Sequence, residues 1–491
     1  MSVSRHTGYN LLGQVIPIIL SLVTVPIYLK LVGADRYGVL AIAWLFLGYF
    51  GLFDLGLSRA SSYRIAALRD APAGSRADTF WAALIVNVLM GVVGGLVLWA
   101  VAGYFFGHVF KVDERLRPEM VAAVPFLAAS VPIATLTGVL TGGLSGREKF
   151  LELNTISIVS TALFQLIPMC LAWVIGPNLP LLLSGAVAAR MMAAAYLAFR
   201  CYTELAAGHP FRIKRDEVTI LLKYGGWVSL AGLFAPLLFM ADRFVIGAVL
   251  GARAVSNYTV PYQLASRIQI LPSSLSSALF PKLSSAGPEE QEVLSEKATR
   301  ALASLLFVPF IGAIFVVEPF LHFWVGRSLD GQAGAVARVM LIGLWANAFA
   351  LLAFTRIEAS GRPDMITKIM LVECPPYFVA LYFGMMSFGI MGAAFAAAGR
   401  SIGDFLLLTW VADKKIRAWR THLCTTGFLA LCAALASLWT ITDWQWWLTA
   451  IALLSAASAW SLFSMPENLR NQGLRYYEQF RRRLTGARQE G

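Results

Sequence analysis

Long apolar segments dominate the chain from one end to the other, and short polar segments separate them. A helix needs about 20 apolar residues to cross a hydrocarbon core of roughly 30 Å, and about fourteen segments meet this length. They cover approximately residues 8–29, 39–57, 80–105, 121–140, 155–175, 179–199, 224–250, 258–279, 301–320, 335–354, 366–383, 390–412, 423–439 and 446–463. The pattern predicts an all-α integral membrane protein with about fourteen transmembrane helices.

Two pairs of short motifs recur in the same order, which indicates an internal duplication. Leu31-Val32-Gly33-Ala34 follows the first span, and Val249-Leu250-Gly251-Ala252 follows the seventh. Ser145-Gly146-Arg147 follows the fourth span and Ser360-Gly361-Arg362 the tenth, and Ser-Gly-Arg occurs nowhere else. Repeats of six helices both begin on the same side of the membrane, so the halves are related by an axis along its normal. We predict two parallel-topology six-helix lobes followed by two C-terminal helices.

This repeat divides the chain into an N-terminal lobe (1–205), a C-terminal lobe (206–415), two additional helices (416–465) and a basic tail (466–491). Two such lobes commonly enclose a cavity that opens alternately to either face, which favours transport. The alternative is that the duplication records ancestry only. In the tail, apolar side chains recur at helical spacing beside several arginines. This pattern fits either a surface helix on anionic lipid or a solvated basic tail.

The charge distribution explains the net charge of +12 without a nucleic-acid partner. Only 14% of the residues are charged, whereas 58% are hydrophobic. Most of the 40 lysines and arginines fall in alternate connections and at both ends of the chain. Because cytoplasmic connections collect lysine and arginine, this distribution predicts that both termini are cytoplasmic.

The connections between the spans are too short to hold a catalytic domain. None exceeds roughly 20 residues, the length of a single membrane span. The sequence contains no P-loop, GxSxG or HExxH motif, and its five cysteines and five histidines lack metal-ligand spacing. We therefore predict that the protein is not an enzyme and that it has no cofactor and no metal site. A membrane-embedded glycosyltransferase or ligase is the enzymatic alternative, and the short connections disfavour it.

Arginines within the spans are the first candidates for a binding site. A charged residue at the centre of a membrane helix costs about 2.5–3.5 kcal/mol on insertion scales, so its presence suggests a function. Arg190 in the sixth span and Arg267 in the eighth have no ionisable neighbour within four residues. A guanidinium group binds phosphate oxygens in bidentate fashion. We therefore predict that Arg190 and Arg267 contact an anionic substrate.

Other ionisable residues in the spans admit two interpretations each. Arg400 and Asp404 lie one helical turn apart, so they either bind substrate or neutralise each other. Asp242 and Arg243 are adjacent, and we expect them to point in different directions and to pair with other helices. Arg243 is also a candidate for substrate binding. Arg59 lies near a helix end, where it either contacts substrate or extends to the interface. Three residues are candidates for ion coupling or charge pairing: Asp54, Asp242 and Asp404.

Two segments resemble a known family. The connection Leu31–Gly38 followed by Gly51–Leu57 is similar to the polysaccharide-biosynthesis branch of the MOP exporter superfamily, which includes the Wzx-type flippases. Ala241–Gly247, continuing to Gly251, resembles the start of that family's second lobe. The resemblance implies a MATE-like fold in a bacterial inner membrane. It implies alternating-access transfer of an undecaprenyl-pyrophosphate-linked oligosaccharide from the cytoplasmic to the periplasmic leaflet for surface polysaccharide biosynthesis.

Partners and alternatives follow from the same resemblance. The implied partners are the lipid-linked anionic glycan, membrane lipids and a polysaccharide polymerase. A lipid II flippase is the nearest alternative, with a similar mechanism. A MATE-type cation-coupled exporter of small molecules is another, and it would need a carboxylate such as Glu318 or Glu373. The excess of intramembrane arginine disfavours a cationic substrate. Coupling to a proton, to sodium or to no ion fits the sequence equally.

Overall fold

The computed structural model describes residues 3–50, 57–68, 71–147, 149–221, 240–413 and 417–466, and these ranges contain helices but no strand. Ten helices within them are long and apolar enough to cross a membrane, and His422–Ala436 is a shorter apolar helix. Each predicted span coincides with a helix wherever the structure describes it. The predicted all-α membrane fold is therefore confirmed.

The structure describes six α-helices in the first repeat. They are α1 (Val3–Phe50), α2 (Leu57–Ala67), α3 (Ala73–Tyr104), α4 (Arg117–Ser145), α5 (Phe150–Val174) and α6 (Leu179–Cys201). Helix α1 contains the first predicted span and most of the second, and a kink divides it at Gly33, where φ is 79° and ψ is 163°. Helix α6 begins at a capping residue, since the Asn178 side chain accepts a hydrogen bond from the Leu181 amide.

The structure describes seven α-helices in the second repeat and two in the C-terminal pair. They are α7 (240–249), α8 (Ala252–Ala265), α9 (Ile270–Ser285), α10 (Pro288–Val325), α11 (Ala333–Ala359), α12 (Pro363–Phe388), α13 (Ile390–Asp413), α14 (Arg417–Ala436) and α15 (Trp444–Ser464). A 3₁₀ turn, Ser266–Gln269, joins α8 to α9. Gly251 separates α7 from α8 with a φ of 93°, a left-handed value like that of Gly33. The two glycines of the repeated motif therefore have related roles.

The chain forms two compact units, Met1–Thr259 and Val260–Gly491. The predicted lobe boundary after residue 205 rests on the repeat and stays a prediction. Residues 224–239 of the seventh predicted span lie outside the described residues, as does the basic tail from residue 467.

In the first unit, close helix contacts depend on glycine. Helix α3 packs on α4 through the glycines of the Gly91–Gly95 segment. A Cβ atom at Gly91 would lie 2.7 Å from Cα of Pro132, and one at Gly95 would lie 2.8 Å from the carbonyl oxygen of Ala128. Helix α4 also packs on α6, and α5 packs on both α6 and α1. These contacts hold α5 and α6 side by side.

In the second unit, α11 is the central helix, with neighbours α9, α10 and α13. Trp345 of α11 is fully buried and packs against the rings of Phe307, Phe310 and Phe349. Helix α10 packs on α14 and α15, and the Phe307 ring lies 4.8 Å from that of Trp460 in α15. The C-terminal helix pair therefore belongs to the core of this unit.

Arg338 of α11 ties three helices of the second unit together. Its guanidinium forms an ion pair with Glu318 of α10 and donates to the carbonyl oxygen of Ile314, at 3.3 Å, and to Oγ of Ser437, at 3.0 Å. Arg338 is 4% exposed. A buried charge needs such partners, and here they join α10 and α11 to the residue that follows α14.

Candidate anion-binding site

Arg190 lies in the middle of α6, with its guanidinium over an aromatic ring of α5. The Cζ atom of Arg190 is 4.6 Å from the centroid of the Phe164 ring. The side chain is half-buried. Within the described residues it forms no hydrogen bond or ion pair, and no charged group acts on it. Arg190 is thus a half-buried cation whose only described partner is an aromatic face.

A network of helix contacts fixes the position of the Phe164 ring. The next residue, Gln165, accepts a hydrogen bond from Thr24 Oγ1 at its side-chain oxygen and one from the Tyr28 hydroxyl at its carbonyl oxygen. The Phe164 ring also lies 6.3 Å from that of Trp44. Helix α1 therefore holds α5 in register beneath Arg190.

This geometry suits the binding of an oxyanion. A guanidinium group that stacks on a ring keeps its five N–H donors in the guanidinium plane, where they remain available to a carboxylate or phosphate. Stacking on an aromatic face gives about 0.5–2 kcal/mol, which only partly offsets the cost of removing the charge from water. An incoming anion would supply the missing charge pair.

The predicted residue Arg400 lines a cavity of about 520 Å³ between α12 and α13. Its Cζ atom lies 5.3 Å from the centroid of the Tyr377 ring. The cavity wall is largely apolar, and Glu373 and Tyr377 of α12 face it together with Arg400 of α13. The charge of Asp404 acts on Glu373, and that of Arg400 acts on both carboxyl groups. The structure therefore groups Arg400 and Asp404, and it adds Glu373.

Arg267 occupies the 3₁₀ turn between α8 and α9 and is half-buried. Its neighbour Gln269 donates from Nε2 to the carbonyl oxygen of Leu344, at 2.7 Å, and so fixes the turn against α11. Arg190 belongs to the other compact unit. The prediction that Arg267 contacts substrate stays a prediction.

Asp242 and Arg243 differ from the expectation that they point apart and pair with other helices. Asp242 Oδ1 accepts hydrogen bonds from the backbone amide and the Nη1 atom of Arg243, at 2.8 and 3.0 Å. The Tyr258 hydroxyl donates to Asp242 Oδ2, at 2.7 Å. The expectation that the two side chains point apart was wrong, because the long arginine side chain folds back onto its neighbour, whereas Asp242 does pair with another helix through Tyr258 of α8. Both residues are buried, at 5% and 4% exposure, in a network that neutralises them.

Two predicted residues lie outside the described parts of the site. Asp54 falls between residues 51 and 56, and the structure describes the backbone of Arg59 in α2 but not its side chain. Sequence reasoning did not assign Phe164 or Tyr377 to the site, and it named Glu373 only as a carboxylate for the alternative of a cation-coupled exporter. The aromatic partners carried no signal, since phenylalanine and tyrosine are common in spans, but Glu373 is an intramembrane carboxylate that the cost of burial could have singled out.

Outside the membrane spans, ion pairs join the connection after α6 to helices α2 and α3. Arg64 donates two hydrogen bonds to the carboxylate of Glu217, at 2.6 and 3.0 Å, and Thr79 Oγ1 donates a third at 3.0 Å. Lys214 pairs with Asp78 at 2.7 Å. The hydrogen bonds from Arg64 lower the pKa of the Glu217 carboxyl below its ordinary value.

Sequence comparison identifies relatives across most of the chain. The chain is 26% identical over 414 residues to the "Putative O-antigen transporter" of Shigella flexneri, which covers 84% of this chain and 98% of the relative. It is 22% identical over 466 residues to the "Uncharacterized membrane protein EpsK" of Bacillus subtilis strain 168, which covers 90% and 89% of the two chains.

Structural comparison identifies the same fold in solved transporters. The lipid II flippase MurJ in its inward closed conformation matches with a TM-score of 0.70 at 14% identity, over 95% of this chain and 99% of MurJ. An inward-facing multidrug MATE transporter of the MOP superfamily matches with a TM-score of 0.64 at 14% identity, over 84% and 99% of the two chains. Residues 3–286, more than half of the chain, match the family described as polysaccharide biosynthesis protein. The predicted resemblance to the polysaccharide-biosynthesis family is thus confirmed, and the chain belongs to the family described as polysaccharide biosynthesis protein.

Proposed function

We propose that this protein moves an undecaprenyl-pyrophosphate-linked oligosaccharide from the cytoplasmic to the periplasmic leaflet of a bacterial inner membrane. One relative is named as a putative O-antigen transporter and a solved structure of the same fold is a lipid II flippase, and the chain is a transporter, not an enzyme. The glycan would serve surface polysaccharide biosynthesis, and a polymerase would act on it afterwards. Alternating access would carry the cargo across.

The observation that carries this proposal is the state of Arg190. This arginine stands in a helix that is otherwise apolar around it, on the ring of Phe164, without a counter-ion among the described residues. Such a residue is costly in a membrane and needs a compensating role. A pyrophosphate group offers several oxygens to the free donors of the guanidinium. A cationic drug would instead be repelled.

The named relatives support the class of cargo. The Shigella relative is named as a transporter of O-antigen, which is a polysaccharide, and the family description refers to polysaccharide biosynthesis. The likeness to MurJ, at 14% identity, supports the fold only.

The test deletes the gene in its native host and restores it as wild type or as a variant. The transfer of labelled lipid-linked glycan to the periplasmic leaflet is measured at matched expression. We expect the deletion to abolish transfer, and Arg190→Ala to reduce it about ten- to a hundredfold, since a hydrogen bond to a charged group contributes about 1.5–3 kcal/mol. Arg190→Lys keeps the charge but loses the bidentate geometry, so its glycan transfer should lie between that of the wild type and that of Arg190→Ala.

Met191→Ala is the matched control, since Met191 is the next residue of α6 and is 54% exposed. It should transfer glycan as the wild type does. Normal transfer in the deletion strain would refute the proposed function. Normal transfer in both Arg190 variants would remove Arg190 from the substrate site. If lipid II accumulates in the deletion strain instead of a polysaccharide precursor, the cargo is lipid II and the proposed glycan is wrong.

A further inference from the structure

Both repeats carry the same arginine-over-aromatic contact at equivalent positions. Phe164 lies fourteen residues after the start of α5, and Tyr377 lies fourteen residues after the start of α12. Arg190 follows the start of α6 by eleven residues, and Arg400 follows that of α13 by ten. In each case the fifth helix of the repeat offers the ring and the sixth offers the guanidinium. The contact is therefore a duplicated element.

The two copies differ in charge. Glu373 lies ten residues after the start of α12, where Ser160 has the equivalent place in α5. Asp404 follows Arg400 by four residues, and Ala194 follows Arg190 by four. The first copy thus has a cation alone, whereas the second has a cation and two carboxyl groups.

Glu373 is buried in an apolar setting. It is 8% exposed, and its Oε1 atom is buried without a hydrogen-bond partner in the part of the chain that the structure describes. It faces the cavity of about 520 Å³ that Tyr377 and Arg400 also line. Among the described residues, the charged groups that act on Glu373 are Asp404 and Arg400 of α13. Glu373 and Arg400 thus line one cavity, and Asp404 lies one helical turn from Arg400 on α13.

The charged side chains of the cavity and its surroundings are two carboxyl groups and one guanidinium. The described residues contain no group of three or more histidine, cysteine, aspartate or glutamate side chains that could hold one. Two carboxyl groups beside an arginine are instead suited to bind and release protons.

We propose that the cavity between α12 and α13 is a proton-linked anion site. While Glu373 and Asp404 are ionised, they neutralise Arg400 and repel an incoming oxyanion. When they take up protons, Arg400 becomes available to a phosphate group of the cargo. The first copy, at Arg190, has no such carboxyl groups and binds an oxyanion at either pH. The identity of the anion as a cargo phosphate rests on the proposed function, but the proton linkage does not.

The experiment uses the full chain in lipid nanodiscs and inorganic sulfate, an anion whose own charge is constant between about pH 5.5 and pH 8. The rise in melting temperature that sulfate produces is measured against chloride of equal ionic strength, since a ligand stabilises the state that binds it. The size of this rise reports the affinity for sulfate. In the wild type we expect the sulfate affinity of the site at Arg400 to be at least about tenfold weaker at the higher pH.

The sulfate response of the wild type should have a pH-dependent part, from the site at Arg400, and a pH-independent part, from the site at Arg190. Matched variants assign each part to its site. Glu373→Gln combined with Asp404→Asn should make the sulfate response equal at both pH values. Arg400→Gln should remove the pH-dependent component, and Arg190→Gln should remove the pH-independent one. Lys368→Gln is the control, because Lys368 lies on α12 but is exposed and pairs with Asp364 at 2.7 Å. It should respond as the wild type does.

The proposal is overturned if the wild-type response does not depend on pH, if Glu373→Gln with Asp404→Asn keeps that dependence, or if Arg400→Gln keeps it. Glu373→Gln alone is nearly isosteric, and it should already weaken the dependence if the double variant is poorly expressed. The assay contains no glycan. A failure of the glycan-transfer test with an intact pH-dependent sulfate response would therefore refute the proposed function only, and the reverse pattern would refute the proton linkage only.

Discussion

At the residue scale, two arginines show different ways of placing a guanidinium inside this protein. Arg338 is surrounded by a carboxylate, a carbonyl oxygen and a hydroxyl group, so its donors are occupied. Arg190 has an aromatic face below it and no described hydrogen-bond partner. The first arrangement stabilises the fold, whereas the second leaves donors for a ligand. The pairing of a buried arginine, more than its position in the sequence, separates these two roles.

The ion pair of Arg64 with Glu217 predicts a loss of stability in acid. Because Arg64 lowers the pKa of Glu217 in the folded protein, the pair contributes fully above the ordinary glutamate pKa. Its contribution declines as the pH falls below about 4.5 and through the lowered folded value. Glu217→Gln should lower the melting temperature in detergent at neutral pH by about 2–4 °C, for a loss of roughly 1 kcal/mol. The difference from the wild type should narrow as the pH approaches 4.

Glu296→Gln is the matched control for this prediction. Glu296 pairs with Arg300 one turn away on α10, and both side chains are more than half exposed. Exposed ion pairs contribute little, so this variant should melt as the wild type does at every pH. Equal melting temperatures of Glu217→Gln and wild type at neutral pH would contradict the assigned role of the Arg64 pair.

The candidate arginines could be predicted from the sequence, but their partners could not. An arginine among apolar residues is conspicuous at any position in a span, as Arg190 and Arg400 are. Phe164 and Tyr377 belong to other helices, and helix register across a contact is not encoded in local periodicity. Asp242 and Arg243 were wrongly expected to separate, since side-chain length lets adjacent residues meet despite their different directions on the helix.

At the scale of elements, the kink of α1 depends on Gly33. Its φ of 79° and ψ of 163° lie in a region that only glycine adopts readily. A Cβ atom there would meet nothing within 4 Å, so Gly33→Ala tests backbone strain alone. It should destabilise the protein by about 1–3 kcal/mol, measured as a lower melting temperature.

Gly103→Ala provides the comparison in a regular helix. Gly103 lies within α3, and a Cβ atom there also meets nothing within 4 Å. Alanine favours a helix over glycine by about 1 kcal/mol, so this variant should be neutral or more stable. Equal effects of the two substitutions would show that the kink imposes no strain.

Hydropathy predicted which segments form helices, but it did not predict where the helices end or where they are interrupted. Helix α10 begins at Pro288, thirteen residues before the predicted span, because hydropathy marks only the part of a helix that lies in lipid. The 3₁₀ turn at Ser266–Gln269 interrupts a span that reads as continuous, and the Gln269 contact with Leu344 that fixes it is tertiary. Gly33 was recognised as part of a repeated motif, but its left-handed backbone was not.

At the scale of the whole molecule, the charge distribution predicts the topology. The connection between α2 and α3 should be cytoplasmic and that between α3 and α4 periplasmic, since the first belongs to the arginine-rich set. In a cysteine-free background, Asp113→Cys should react with a membrane-impermeant maleimide in intact cells. Gly74→Cys should react only after permeabilisation. Labelling in the opposite order would invert the proposed orientation, and labelling of both in intact cells would contradict the span count.

The repeat is the feature of the whole molecule that the sequence predicted best. Two short motifs with glycine sufficed, because a left-handed glycine at Gly33 and at Gly251 has few substitutes. The extent of the compact units did not follow from it. The first compact unit extends to Thr259, whereas the predicted lobe boundary after residue 205 rests on the repeat and stays a prediction.

The link from Arg338 to Ser437 has a consequence for how chains of this fold can vary in length. Without α14 and α15, Arg338 would lose its hydroxyl partner, and the face of α10 that carries Phe307 would lose its cover. A shorter chain of the same architecture would therefore need another acceptor for the freed N–H donor of Arg338, which keeps Glu318 and Ile314, and a lipid-compatible surface on α10. A truncation engineered in this protein should replace the lost hydroxyl group and the lost aromatic cover together.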